Sequence, residues 1–278
     1  MNKLSFLGIF LALSFIQCVP YSEQWTSFPA CHMGRLQSPI RLNVTESTFS
    51  NKFSIVYQKF EDGELDSDLL TPYNPNKYAI YTGVKNGGYL HFAKDGVIKQ
   101  YQLIKYEIYQ GLHEFGATNT KSKYELHIVF RKNLGFTSNK NQYRRITDVN
   151  NYLVIVLRYG ESGISDGGLL KTLRETASGK TFNLGEYPVF QDKKAYFYDG
   201  AFIYNPCLED VSYYVVEPIF KLNGISFSYG NDDDGNGYKE RALAYERPIY
   251  RNYMNYTESL ASSLIKPSLL LLVITALL

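Results

Sequence analysis

Histidine and cysteine are scarce in this chain, with four and three among 278 residues. No His-x-His pair and no Cys/His cluster occurs, so no ready-made transition-metal motif is present. Charge of one sign is lacking too. The formal net charge is only +2, which argues against a nucleic-acid partner, whose binding needs a concentrated basic face. Between Trp25 and Arg251 there is no internal repeat and no clear linker. What the chain does have is apolar and aromatic substance: 45% hydrophobic residues and 25 tyrosines. That is enough for a sizeable core, and the length suits one large domain if the architecture is all-β.

Both ends read as processing signals. Lys3 precedes an apolar run from Leu4 to Ile16, which has the length and flanks of a secretory signal peptide and is too short for a membrane span of ~20 residues. Residues 1–18 are assigned to it, with an approximate cleavage site. At the other end, Ser259-Leu260-Ala261-Ser262-Ser263 supplies small residues, a short spacer follows, and Leu269 to Leu278 is apolar to the last position. Residues 259–278 are therefore expected to be a GPI-attachment signal. A transmembrane tail is the alternative, weakened by Lys266 and Pro267. The expected location is the secretory pathway and then the outer face of the plasma membrane. With Cys18 removed, Cys31 and Cys207 remain, and two cysteines in a secreted domain usually pair. Such a bridge would add ~4 kcal/mol in the chain-entropy picture, less any strain. Asn43-Val44-Thr45 and Asn255-Tyr256-Thr257 are glycosylation sequons.

Strand-like runs fill residues 19–258: Lys52 to Tyr57, Tyr78 to Thr82, Tyr89 to Ala93, Gln100 to Tyr109, Tyr124 to Phe130, Asn151 to Tyr159, Ala195 to Phe202 and Val211 to Phe220. Gly, Asn and Asp clusters punctuate them, and Leu169 to Thr176 reads as a short helix. Period-two alternation puts Leu126, Ile128 and Phe130 on one face of their strand and Glu125, His127 and Val129 on the other. The earlier strand divides likewise into Ile104, Tyr106 and Ile108 against Lys105, Glu107 and Tyr109.

Several segments, in order and at matching spacing, resemble the α-carbonic anhydrase family. Trp25, Pro29, Cys31, Gly34 and Gln37-Ser38-Pro39-Ile40 resemble its N-terminal signature. Tyr101 to Gly111 and Glu125 to Phe130 resemble its two metal-binding strands. Asn205-Pro206-Cys207-Leu208-Glu209 resembles its Pro-Pro-Cys-x-Glu segment, and Arg247 matches an Arg near its end. The resemblance spans nearly the whole mature chain, from Trp25 to Arg251. It implies a single, mainly β domain with a few short helices, built on a large, mostly antiparallel twisted sheet. Many secreted members also pair cysteines at the positions of Cys31 and Cys207.

The resemblance also shows what is missing. The family's first strand carries two zinc-ligating histidines and its second a third. The matching positions here hold Glu107, Tyr109 and His127. Three neutral imidazoles leave zinc its full charge, and that charge lowers the pKa of bound water to about 7. A carboxylate at Glu107 would blunt this effect, and the phenol of Tyr109 must ionise to bind well. Gly88 matches the position of a proton-shuttle histidine in some members. Glu114, in His113-Glu114-Phe115, is expected where a Glu orients a threonine, but the Thr-Thr pair it serves is replaced by Ile203 and Tyr204. Loss of such outer-shell support costs ~10–100-fold on its own.

Glu107, Tyr109 and His127 are expected to form a mutually hydrogen-bonded polar cluster, with metal binding by the same trio as the alternative. His91 and His113 read as surface or pocket-edge residues. Asp232 to Gly237 resembles the first half of a Ca²⁺ loop, but Leu243 stands where a bidentate Glu is needed, so an exposed acidic turn is expected. No catalytic residues and no cofactor are expected. The functional expectation is a carbonic anhydrase-related, non-catalytic domain that binds a protein or glycan at the cell surface, held to the membrane by its lipid anchor. The alternative is a weak or altered zinc-dependent carbonate dehydratase.

Overall fold

The computed structural model describes residues 38–66, 80–116, 120–133, 151–176, 179–187, 189–190, 193–203, 209–227 and 247–254. The strands are β1 (Arg41–Leu42), β2 (Thr48–Phe49), β3 (Phe53–Phe60), β4 (Gly63–Asp66), β5 (Ile80–Lys85), β6 (Gly88–Lys94), β7 (Val97–Gln110), β8 (Glu114–Phe115), β9 (Thr120–Lys121), β10 (Tyr124–Lys132), β11 (Tyr152–Gly160), β12 (Thr181–Phe182), β13 (Ala195–Gly200), β14 (Val211–Lys221) and β15 (Tyr250–Arg251). One α-helix, α1 (Leu169–Glu175), lies between β11 and β12.

Twelve of the strands form one mixed sheet, and β1, β8 and β9 form a second, small one. The large sheet runs β12-β4-β5-β7-β10-β11-β14-β13-β15-β2, with β6 and then β3 attached alongside β7. The long β7 makes this branching possible: its first half pairs with β6 and its second half with β5. Most pairs are antiparallel, but β11–β14 and β15–β2 are parallel. Each of the eight expected runs is a strand over most of its described residues, and the expected helix is α1.

Alternation along the central strands explains two cores. Tyr106, Ile108, Leu126, Ile128, Phe130, Leu153, Ile155 and Leu157 point to one side, into the larger core. The leucines of α1 join them there. Asp166 fixes the start of that helix: its carboxylate accepts from the Gly168 and Leu170 N–H groups and from the Tyr159 hydroxyl, which satisfies donors left unpaired at a helix N-terminus. Val129, Val154, Val156, Tyr196, Tyr213 and Val215 point to the other side and form a second core with Ile40 and Leu42.

One expected facing needs correction. Ile104 does not share the side of Tyr106 and Ile108; it packs against the second core. The cause is a break in register between Val129 and Phe130, where β10 meets Lys105 and then Leu103 on β7. The bulge leaves one residue of β7 unopposed and resets the alternation.

Among the described residues, no helix is long and apolar enough to cross a membrane. Residues 1–37, Cys31 and Cys207, Tyr204, the 232–243 loop, Asn255 and the C-terminal segment from 259 lie outside the described residues. Asn43 is described. Its side-chain oxygen accepts from the Thr45 N–H at 3.2 Å and caps a 3-10 turn.

Candidate functional site

The two strands singled out by the sequence are neighbours. β7 and β10 run antiparallel, with His127 opposite Glu107 and Glu125 opposite Tyr109. Residues directly opposite on paired strands project to the same side, so Lys105, Glu107, Tyr109, Glu125 and His127 share one face. All five are buried.

Glu125 is the hub of that face. Its Oε1 accepts the backbone N–H groups of Leu112 at 3.0 Å and His113 at 2.8 Å. Its Oε2 lies 2.8 Å from His113 Nδ1 and 3.1 Å from His127 Nε2. A carboxylate only accepts, so both ring nitrogens donate. The far side of the His113 ring, Nε2, lies 2.7 Å from the Tyr198 hydroxyl on β13. Burial works to raise the Glu125 carboxyl. The His113 ring and the hydrogen bonds from both histidines outweigh it, and hold the group well below the usual carboxylate range. Burial depresses His127, partly offset by Glu125, so its imidazole is neutral. Burial also pushes the Tyr198 phenol upward.

The three side chains at the family's ligand positions do not bond to one another as expected. Glu107 is held by Lys105, two residues earlier on the same strand face, whose Nζ donates to Oε1 at 2.6 Å. Tyr109 lies ring against ring with His127, with centroids 4.7 Å apart at 57°. It also packs with Leu112 and Ile203 in a small apolar cluster. His127 turns its Nε2 to Glu125. The geometry thus replaces the expected trio by two separate polar pairings flanking an aromatic contact. An ammonium satisfies a buried carboxylate better than a phenol can, and Lys105 projects from the same face as Glu107.

His113 is fully buried rather than at a surface or pocket edge. His91 is half-buried on β6 and contacts Gln100. Glu114 stands on the small sheet, with its carboxylate 4.0 Å from Lys121, and Leu112 is the side chain that clusters with Ile203. His113 rather than Phe115 enters the buried network. Gly88 has φ +89, and a Cβ there would lie 2.3 Å from the Lys59 carbonyl oxygen. No shuttle side chain fits that position. Ile203 is buried, and Phe202 beside it meets Tyr152 edge-on at 4.9 Å. Lys105 Nζ lies 5.7 Å from the centre of the Phe202 ring. The signature Ser38 reaches this loop too, its Oγ accepting the Ala201 N–H at 3.3 Å.

His113, Glu125 and His127 together have the composition of a metal site, with ligand atoms within 4.8 Å of one another. Zinc binds through lone pairs directed at the ion. Here both Glu125 oxygens already accept two N–H groups each, and the two His113 nitrogens are both engaged. A metal at this point would have to displace the bonds that hold the network together. Hydrogen-bonded in this way, the group does not fit zinc. The ligand positions read from the sequence fit no better, since Glu107 is bound to an ammonium. Sequence reasoning had placed Lys105 and Glu125 on this face without giving either a role. It missed Leu112, His113 and Tyr198: Leu112 and His113 lie in the loop after β7, where no periodic signal exists, and Tyr198 reaches the network from β13, distant in sequence.

No family model matches the chain, and no curated protein matches it by sequence. Solved structures do match. Dioscorin, in a crystal structure of its complex with ascorbate, has 15% identity over 85% of this chain and 93% of its own, with a TM-score of 0.59. The α-carbonic anhydrase of Photobacterium profundum has 18% identity over 85% of this chain and 99% of its own, with a TM-score of 0.55. The chain therefore has the α-carbonic anhydrase fold.

Proposed function

We propose that this chain is a non-catalytic, carbonic anhydrase-like extracellular domain that serves as a cell-surface binding protein. The observation that carries the reading is the Lys105–Glu107 pair: a buried ammonium occupies the carboxylate that stands where the family has a zinc ligand. The surrounding chemistry supports it. Tyr109 and Ile203, matched to a ligand and a threonine of the family, pack with Leu112 in an apolar cluster, and Gly88 leaves no room for a proton-relaying side chain. Fold does not fix function, and dioscorin, with the same fold, is complexed with ascorbate. Delivery by a signal peptide in residues 1–18 and anchoring through residues 259–278 complete the proposal, with Asn43 and Asn255 as glycan sites and Cys31–Cys207 as a disulfide.

The alternative, a weak zinc-dependent carbonate dehydratase, needs His127 and Glu107 to hold the ion against Lys105. Metal analysis and CO₂ hydration on the full-length secreted protein separate the two. The expected result is substoichiometric zinc and hydration at background. Stoichiometric zinc with turnover that His127→Ala removes would establish the alternative.

A further inference from the structure

On the side of the sheet that carries His127, the strands leave the core and meet solvent. β10 alternates through His127 and Val129 to Arg131, which is exposed. Arg131 lies opposite Gln102 on β7, Gln102 opposite Tyr89 on β6, and Tyr89 opposite Lys59 on β3. The adjacent row runs Gln100, His91, Tyr57 across β7, β6 and β3. Four strands thus present one patch whose centre is three rings. Tyr89 and His91 lie nearly parallel, with centroids 5.5 Å apart at 28°. Tyr57 tilts against both, at 6.3 and 5.5 Å, and is 49% exposed. The rings are held in place: Gln100 Nε2 lies 3.1 Å from His91 Nε2, and Gln100 Oε1 accepts from Asn133 at 2.7 Å.

Large rings preorganised at a surface mark an interaction site more often than isolated ones do. Their faces carry partial negative charge, which suits the electropositive C–H faces of sugar rings, while amides such as Gln102 suit sugar hydroxyls. The charges select among sugars. Lys59 is paired with Glu61 at 2.8 Å, whereas Arg131 has no ion pair among the described residues. Among its described residues the patch therefore carries a net positive charge, displayed by a planar group that matches a carboxylate.

We propose that this face binds an acidic oligosaccharide, with sugar rings over Tyr57, Tyr89 and His91 and a uronate carboxylate on Arg131. The inference deepens the binding role proposed above and rests on it for its biological setting, but its chemistry is independent of the metal question.

The test is calorimetric titration of the full-length secreted protein with octasaccharides of hyaluronan and of polygalacturonate, and with their carboxyl-reduced counterparts. The expected result is saturable binding of at least one uronate oligosaccharide. Tyr89→Ala, Arg131→Gln and carboxyl reduction should each weaken it at least tenfold, with the melting temperature of both variants unchanged. Absence of saturable binding to either uronate, equal binding of the reduced sugars, or affinity indifferent to both substitutions would overturn the proposal. Zinc content and CO₂ hydration of the same sample report separately on the non-catalytic reading. A zinc-free, inactive protein that binds no uronate sinks only the oligosaccharide site, and an active zinc enzyme that binds uronate sinks only the non-catalytic reading.

Discussion

Lys105 and Glu107 lie two residues apart on one face of β7, with Nζ 2.6 Å from Oε1 and side chains only 9% and 2% exposed. The pair places a positive charge against the carboxylate that the sequence resemblance matches to a metal ligand. Each charge is tolerated in the interior because the other is there.

Breaking this pair on one side should therefore be costly. Lys105→Met leaves Glu107 buried without its cation, and a loss of about 3–5 kcal/mol is expected. The double variant Lys105→Met/Glu107→Leu removes both charges and should recover most of the loss, because a well-packed apolar replacement of a buried pair is often neutral or better. Urea denaturation of the three proteins checks it. A single variant as stable as the parent would mean that Glu107 has another counter-charge.

The same strand shows what was legible in the sequence. β-Branched and aromatic runs gave the central strands, because alternation there is set by two buried faces. Alternation also put Lys105 beside Glu107 and Glu125 beside His127. The actual bonds were not legible, since facing alone does not decide which of several same-face polar groups meet. The loop at Gly111 to Glu114 was misread for a different reason. Its placement is fixed by Glu125, which gathers the Leu112 and His113 N–H groups, and a contact between distant residues leaves no local pattern. The bulge that turns Ile104 over is likewise invisible to a strict period of two.

Acid should destabilise the fold in two steps. His127 is depressed in the folded state, so the unfolded chain takes up a proton that the native one refuses as pH falls below about 6.5. Its contribution is complete above that value and declines below it, at most about 1.4 kcal/mol per pH unit. Glu125, held low by its histidine partners, adds a loss of the same sign below its ordinary range near 4.5. Melting temperature against pH should fall through both regions. His127→Gln, which retains a donor for Glu125, should flatten the upper step and leave the lower one. An unchanged upper step would place that titration elsewhere.

Gly88→His tests whether a relay side chain can be restored. The backbone there is left-handed at φ +89 and the Cβ would meet the Lys59 carbonyl oxygen. Strain of this kind costs about 1–3 kcal/mol, and the close contact adds to it. The variant should melt lower and show CO₂ hydration no different from the parent. A variant of parental stability would show that the β3–β6 contact yields readily.

Leu112 and Ile203 offer a sharp test of whether the buried cluster beside Tyr109 can host a polar pair. They share one apolar cluster with Tyr109, at 2% and 1% exposure. Ile203→Thr alone drops a hydroxyl into that cluster, at a cost of about 1–3 kcal/mol if it finds no acceptor. Leu112→Glu alone buries a carboxylate without a donor, which costs more. Together the hydroxyl can donate to the carboxylate, so the double variant should be more stable than the sum of the singles predicts, by about 0.5–3 kcal/mol. Equilibrium denaturation of the four proteins gives the coupling directly. A coupling of zero would show that the two side chains do not meet. A positive coupling would show that the fold can host a hydroxyl–carboxylate pair in this cluster while Lys105 continues to hold Glu107.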